Sequence, residues 1–180
     1  MWKSTLVKII VIGAGRIGST VAFCLAQAGH DLTVLARGAR FDALARDGAI
    51  ITIDGRRAPI EVVPLLDPTT PYDLAIVTGP ERQLAPLRPA LSASRANTIL
   101  LMFNMFQGIE PYRSIVGAQR FAFGFPNMTA FLVDQRLRFR VDGLGMVTTM
   151  SNPQLASCSG QLCTRVRNSC TAQVFTETGV

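Results

Sequence analysis

Three glycines near the N-terminus have the spacing that brings a protein backbone against a phosphate group. Gly13, Gly15 and Gly18 form the pattern G-x-G-x-x-G, which follows directly on an apolar run ending at Ile12. The first glycine permits a tight turn, the second lets the backbone approach a pyrophosphate, and the third lets a helix pack close to a sheet. A helix that begins here presents unpaired N–H groups and its positive dipole end. The pattern predicts a dinucleotide-binding turn.

The residues on either side of this turn have the periodicities of a strand and a helix. The run before it is almost continuously apolar, which is typical of a parallel strand covered on both faces. After it, apolar residues recur on one helical face: Ile17, Val21, Cys24, Leu25 and Ala28. This context favours a cofactor site over a coincidental βαβ turn. We expect the residues of the turn itself to contact the cofactor: Gly13, Ala14, Gly15, Arg16, Ile17 and Gly18.

The end of the second expected strand, Asp31–Ala36, indicates which dinucleotide binds. An NAD site usually has a carboxylate there, which accepts from the ribose hydroxyls. This chain instead has Arg37, with Arg40 just beyond. Because a guanidinium binds a 2′-phosphate bidentately and a carboxylate repels it, we predict NADP(H). Arg37 is the first candidate ligand and Arg40 the second; the alternative is a solvated arginine at a strand end. Arg16 lies either near the phosphates or towards solvent.

Composition bounds the class of protein. The 180 residues suffice for one domain with its own core, and 48% of them are hydrophobic. No apolar run approaches the roughly 20 residues of a membrane span, so we expect a cytoplasmic chain without a membrane partner. The cysteines Cys158, Cys163 and Cys170 make no C-x-x-C and lie far from the single histidine, His30, so we expect no metal site.

The net charge of +6 raises the question of an anionic partner. Arg136, Arg138 and Arg140 alternate and would share one face of a strand. A solvated face is the favoured interpretation, and an anionic-substrate or nucleic-acid surface is the alternative. No nucleic-acid-binding motif accompanies these arginines, so we expect no nucleic-acid partner.

The rest of the chain alternates strands and helices, which predicts an α/β fold of the Rossmann type with a doubly wound, mostly parallel sheet. Ala49–Asp54 and Ala58–Val63 resemble a hairpin. Glu81–Ser94 is expected to be helical in short or irregular pieces, because Pro86 and Pro89 interrupt it. Further strands are expected at Tyr72–Thr78, Asn97–Phe103, Gln119–Phe125, Arg136–Val141 and Met146–Met150, with a helical turn around Gly108–Ile115.

Ligands of such sheets bind beyond the carboxyl ends of the strands. This rule places the glycine turn, Arg37, Thr78–Pro80 and Phe103–Met105 around one crevice. We therefore add Thr78 to the expected cofactor-binding residues. Residues 1–150 are expected to form the NADP-binding domain. Residues 151–180 are expected to be an atypical tail, either a marginal helix or disordered.

Val11–Gly38 closely resembles the N-terminal domain of the ketopantoate (2-dehydropantoate) 2-reductases. The GAGxIG turn, the AGH-D turn and the strand-ending ARG carry the resemblance, which fades after about Gly145. The resemblance implies reduction of a 2-keto acid with NADPH, in the pathway to pantothenate. It also implies that Asn104 lies beside nicotinamide and substrate, as the family's asparagine does, and so serves both cofactor binding and catalysis.

The sequence departs from the family at three places. Asn104 is followed by Met105, where the family usually has glycine. The family often has a lysine soon after the fourth strand, whereas here the stretch is Thr78-Gly79-Pro80-Glu81-Arg82, in which only Arg82 could substitute for its charge. The family's catalytic lysine comes from a C-terminal helical domain, which we expect to be absent here, and no lysine follows Lys8. A keto reduction needs a proton donor. Two residues of this chain are candidates for that donor. Arg82 is too basic to release a proton readily, and Tyr112 has no evident partner.

These observations leave three functions open. The first is an NADPH-dependent reductase of the ketopantoate-reductase type, present as its cofactor-binding domain. The second is a stand-alone NADP(H)-binding module without turnover. The third is an opine-type dehydrogenase fragment on the same scaffold. An apolar face left without the helical domain also predicts a homodimer or higher oligomer.

Overall fold

The computed structural model describes residues 6–104, 110–124, 126 and 128–140, together with two short strands at 148–149 and 174–175. In chain order the elements are β1 (Lys8–Ile12), α1 (Arg16–Gln27), β2 (Asp31–Leu35), α2 (Gly38–Asp47), β3 (Ala49–Ile51), β4 (Arg57–Pro59), β5 (Glu61–Val63), β6 (Leu74–Val77), a 3-10 helix (Glu81–Gln83), α3 (Leu84–Ala93), β7 (Thr98–Leu101), α4 (Glu110–Val116), β8 (Phe121–Phe123), β9 (Thr129–Val133), β10 (Arg136–Arg140), β11 (Thr148–Thr149) and β12 (Val174–Phe175).

Six strands form one parallel sheet in the order β5-β2-β1-β6-β7-β8. This order runs outward from β1 in both directions and reverses between β1 and β6, which defines the switch point of a doubly wound sheet. The predicted Rossmann-type α/β fold is confirmed.

The central strand explains why its sequence is apolar without alternation. Ile9 and Val11 point into the core on one face of the sheet, whereas Ile10 and Ile12 point into the core on the other face. All four side chains are buried, because helices cover both faces. The apolar run that predicted a strand covered on both faces therefore forms β1, inside the six-stranded sheet.

Helix α1 is covered on both of its sides. Its predicted face contributes Val21, Cys24 and Leu25 to the core, but Phe23 on another face is buried as well. The β9–β10 hairpin lies over this side, and the ring of Phe139 meets Phe23 edge-on at 5.6 Å between centroids. Helical periodicity gave no sign of this cover, because the hairpin comes more than 100 residues later in the chain.

The hairpin predicted after α2 is shorter than expected. β3 pairs with β4, but the chain then leaves the hairpin, and β5 joins the main sheet parallel to β2. Val62 and Val63 thereby extend the apolar sheet beyond Val34 and Leu35. The prediction that Ala58–Val63 forms one hairpin strand is wrong, because the open edge of β2 binds its second half.

The prolines after β6 interrupt the helix less than predicted. A 3-10 turn over Glu81–Gln83 leads into α3, which continues to Ala93. Pro86 falls in the first turn, where its missing N–H has no helical partner to lose. Pro89 lies inside α3, which continues past it.

The three alternating arginines lie on β10 as predicted, and all of them are exposed. Opposite them on β9 lie Phe131 and Val133, whose side chains are also exposed. Most of the expected 151–180 tail lies outside the described residues, and so do its three cysteines. No helix in the described part of the chain is long and apolar enough to cross a membrane.

Candidate functional site

The turn between β1 and α1 has the geometry that its glycines predict. Gly13 has a φ of +107°, which L side chains rarely adopt, and its N–H donates to the carbonyl of Leu35 at 3.1 Å. A Cβ on Gly18 would lie 1.8 Å from the carbonyl oxygen of Gly13. The first glycine therefore makes the turn, and the third lets α1 approach it.

The second glycine borders open space. Gly15 is the N-cap of α1, and a Cβ placed on it would meet nothing within 4 Å. No side chain of the described residues caps this helix end, so the first N–H groups of α1 keep their donor capacity. An open surface beside unpaired N–H groups and a positive helix end suits a pyrophosphate. The residues present fit the phosphates of a dinucleotide.

The predicted residues within this turn differ in exposure. Ala14 and Gly18 are buried, Gly13 and Ile17 are half-buried, and Gly15 and Arg16 are exposed.

Thr78 closes one side of the turn. It follows β6, its N–H donates to the carbonyl of Ile12 at 3.0 Å, and its hydroxyl donates to the carbonyl of Gly13 at 3.0 Å. The fold thus brings Thr78 against the glycine turn, as the crevice rule predicts.

The two candidate arginines beyond the end of β2 differ in their exposure and in their hydrogen bonds. Arg37 is exposed, is the extended N-cap of α2, and donates to no side chain or carbonyl among the described residues. Arg40 is half-buried and its guanidinium is bonded to the turn itself, donating to the carbonyl of Ala14 at 3.2 Å and to the hydroxyl of Ser19 at 2.9 Å. Only Arg37 is thus left with an unengaged guanidinium at the end of β2.

Asn104 lies at the same edge of the sheet as Thr78 and the glycine turn. β7 is paired with β6, and the Met102 N–H beyond its end donates to Val77 at 2.8 Å. The chain then passes through buried Phe103 to Asn104, which is exposed. Asn104 therefore follows the strand next to the one that carries Thr78. Met105 lies outside the described residues.

Tyr112 has a partner that sequence reasoning missed. Its hydroxyl donates to Glu81 Oε1 at 2.5 Å, and its ring packs edge-on against Phe103. Burial, and then the bond to the Glu81 carboxylate, raises the pKa of Tyr112 to about 12. The expectation that Tyr112 has no partner is wrong; no local pattern could have paired two residues 31 positions apart. The pair makes this tyrosine a poor acid. Arg82, the other candidate, is exposed.

The described residues contain no group of three or more His, Cys, Asp or Glu side chains arranged to hold a metal ion. Cys24 is buried in the core, as predicted.

The strand order and the glycine turn define a Rossmann-type α/β protein. A family model described as ketopantoate reductase PanE/ApbA matches residues 9–151. The chain therefore belongs to the ketopantoate reductase family, which confirms the resemblance found in the sequence. No curated protein matches the chain in sequence.

Solved structures share the fold at low identity. A putative ketopantoate reductase from Ralstonia solanacearum MolK2 is 20% identical with a TM-score of 0.73, and the match covers 94% of this chain and 60% of that one. D-mandelate dehydrogenase with NADH and anilino(oxo)acetate is 17% identical with a TM-score of 0.70, and the match covers 94% of this chain and 57% of that one. A dimeric ketopantoate reductase from Staphylococcus aureus is 15% identical with a TM-score of 0.64, and the match covers 95% of this chain and 55% of that one. The chain spans three fifths of these relatives or less.

Proposed function

We propose that this chain is the NADP(H)-binding domain of an oxidoreductase that reduces a 2-keto acid to a 2-hydroxy acid. The observation that carries the proposal is the turn over residues 13–18, with open space at Gly15 beside an uncapped helix N-terminus. Gly13, Ala14, Gly15, Arg16, Ile17 and Gly18 would surround the pyrophosphate, and residues 1–150 would form the domain. Family membership supports the proposal.

The choice of NADP(H) over NAD(H) rests on Arg37. Its guanidinium is exposed at the end of β2, where the adenosine ribose of a Rossmann cofactor lies, and no carboxylate occupies that strand end. A bidentate bond to a 2′-phosphate would satisfy this guanidinium. The D-mandelate dehydrogenase of the same fold was solved with NADH, so the fold alone does not select the cofactor.

Substrate would lie near Asn104, on the nicotinamide side of the crevice. The bound cofactor supplies the hydride, and this chain would orient the keto acid through the Asn104 amide. Thr78, which follows the neighbouring strand β6, would hold the glycine turn in place. The reaction would then serve pantothenate synthesis, as the family resemblance implies, and we propose that it takes place in the cytoplasm.

Proton donation is the step that the described residues do not supply. Tyr112 is buried with a raised pKa, and the Arg82 guanidinium is too basic to release a proton readily. This observation favours a second candidate, an NADP(H)-binding module that does not turn over by itself. An opine-type dehydrogenase fragment would share the same fold and cofactor site.

The decisive experiment is calorimetric titration of the purified chain with NADPH and with NADH. We expect a preference for NADPH that Arg37→Ala removes, with NADPH binding about tenfold weaker and NADH binding unchanged, because the bidentate contact with the 2′-phosphate is lost. Arg46→Ala, at the other end of α2, is the matched control. Binding of neither nucleotide contradicts the cofactor proposal, and an unchanged preference in Arg37→Ala contradicts the role of Arg37. Oxidation of bound NADPH on adding ketopantoate separates a reductase from a binding module.

We also propose that the chain forms a homodimer, as the Staphylococcus aureus relative does. Exposed Leu65 and Phe131 offer apolar surface for such contacts. Gel filtration at high protein concentration tests this, and a clean monomer contradicts it.

A further inference from the structure

The side chain of Arg40 joins three separate parts of the chain. Its Nε donates to the Ala14 carbonyl at 3.2 Å, and one Nη donates to the Ser19 hydroxyl at 2.9 Å. The other Nη donates to the carbonyl of Gln135, in the β9–β10 turn, at 2.6 Å. One planar group thus holds the glycine turn, the first turn of α1 and a hairpin that lies 95 residues away.

The Ser19 hydroxyl extends this network into the glycine turn. Buried Ser19 accepts from Arg40 and donates to the Ala14 carbonyl at 3.0 Å, so Ala14 accepts from both side chains. Ala14 stands between the glycine that makes the turn and the glycine that faces open space. Its carbonyl orientation fixes the peptide plane that carries the N–H of Gly15.

The guanidinium of Arg40 makes no direct ion pair within the described part of the chain. Burial lowers the pKa of its guanidinium, and the more distant Asp47 raises it only in part. A half-buried cation bonded only to neutral oxygens leaves a positive potential beside the glycine turn.

We infer that Arg40 is a positioning residue for the cofactor's pyrophosphate, rather than a second ligand of the 2′-phosphate. It fixes the Ala14 peptide so that the turn keeps its N–H groups directed at the phosphates, and it adds positive charge behind them. This inference rests on the proposed function in one respect, that the turn binds a dinucleotide. The β9–β10 hairpin takes part through the Gln135 carbonyl.

The inference makes a prediction that separates Arg40 from Arg37. The pyrophosphate is common to NADPH and NADH, so loss of Arg40 weakens both nucleotides by the same factor. The preference for NADPH over NADH therefore stays as in the wild type, whereas loss of a residue that binds the 2′-phosphate would reduce this preference.

The test uses Arg40→Gln, which removes the charge, and Arg40→Lys, which keeps the charge but lacks the planar fork. Arg46→Gln is the matched control, because Arg46 lies on the same helix, is exposed and, among the described residues, pairs with Asp47 alone. Affinities for NADPH and NADH are measured by calorimetry well below the unfolding temperature. Amide hydrogen exchange is measured on the nucleotide-free proteins at Gly13 and Ser19, whose N–H groups donate to the carbonyls of Leu35 and Gly15 at 3.1 and 2.8 Å.

We expect Arg40→Gln to bind both nucleotides about tenfold more weakly, and Arg40→Lys to recover part of the loss. Exchange at the Gly13 and Ser19 amides accelerates in both variants and not in the control. Weakening of NADPH alone overturns the inference in favour of a 2′-phosphate ligand. Unchanged affinities with a lower unfolding temperature overturn it in favour of a structural role only.

The failure of this inference and of the proposed function are distinguishable. If the wild-type chain binds neither nucleotide, the proposed function fails at that step. The exchange measurement still decides whether Arg40 holds the turn, and unchanged exchange in Arg40→Gln overturns the inference even if the nucleotides bind.

Discussion

The hydroxyl of Thr78 donates to the carbonyl oxygen of Gly13 over 3.0 Å, although 65 positions separate the two residues. The bond joins the end of β6 to the turn that follows β1, its neighbour in the sheet. A Cβ on Gly13 would lie 3.1 Å from the same hydroxyl oxygen. The turn is therefore held from two sides, by Thr78 along the sheet edge and by Arg40 from α2.

Thr78→Val tests the first of these supports. Valine has nearly the same shape but leaves the Gly13 carbonyl without this donor, so we expect the free energy of unfolding to fall by about 1 kcal/mol. Thr78→Ser keeps the hydroxyl and is the control. Urea denaturation measures both, and equal losses in the two variants would show that packing, rather than the hydrogen bond, matters at this position.

Gly15→Ala and Gly18→Ala are predicted to separate binding from stability. The Cβ at residue 18 collides with backbone, so we expect a loss of about 3 kcal/mol in the free energy of unfolding. The Cβ at residue 15 meets only open space, so this variant should keep its stability and lose nucleotide affinity, because the methyl group occupies the phosphate surface. Denaturation and calorimetry on the same samples decide. A Gly15→Ala variant that binds normally would place the phosphates elsewhere.

Tyr112 is predicted to make stability fall at alkaline pH. Its pKa in the folded chain is raised from 10.0 to about 12, first by burial and then by Glu81. Between these values the unfolded state has lost the phenolic proton that the folded state still binds. The contribution is therefore complete below about pH 10 and is lost as the pH rises towards 12.

The measurement compares the wild type with Tyr112→Phe in urea denaturation across this pH range. The variant lacks the ionising group, so we expect its free energy of unfolding to fall less steeply above pH 10. Burial also raises the pKa of Tyr72, the second of the two tyrosines, but Tyr72 is present in both proteins, so its contribution cancels in the comparison. Parallel pH profiles would mean that Tyr112 titrates normally.

The central part of the fold was readable from the sequence because its signals are local. The glycine spacing, the apolar run before it and the strand after it each lie within about 30 residues, and together they predicted β1, α1 and β2. The crevice rule then placed Thr78 and Asn104 at one edge without any knowledge of distances.

The missed features all depend on contacts between distant residues. The Tyr112–Glu81 pair, the cover of Phe23 by Phe139 and the engagement of Arg40 join residues that no periodicity connects. The sequence offered Arg40 as a second phosphate ligand because it showed a basic residue near a strand end. It could not show that the oxygens of Ala14 and Ser19 already occupy this guanidinium.

The hairpin that covers α1 also sets an order of assembly. β1 and α1 are synthesised before the end of β6, which follows the glycine turn by 65 residues, and Phe139 is synthesised later than both. Until the chain has been synthesised past residue 129, where β9 begins, no part of the hairpin covers the outer side of α1. Phe23 then lacks the ring of Phe139 that it contacts in the folded protein. The outer side of α1 therefore stays uncovered until the β9–β10 hairpin has been synthesised, which leaves Phe23 open to chaperones and proteases over that interval.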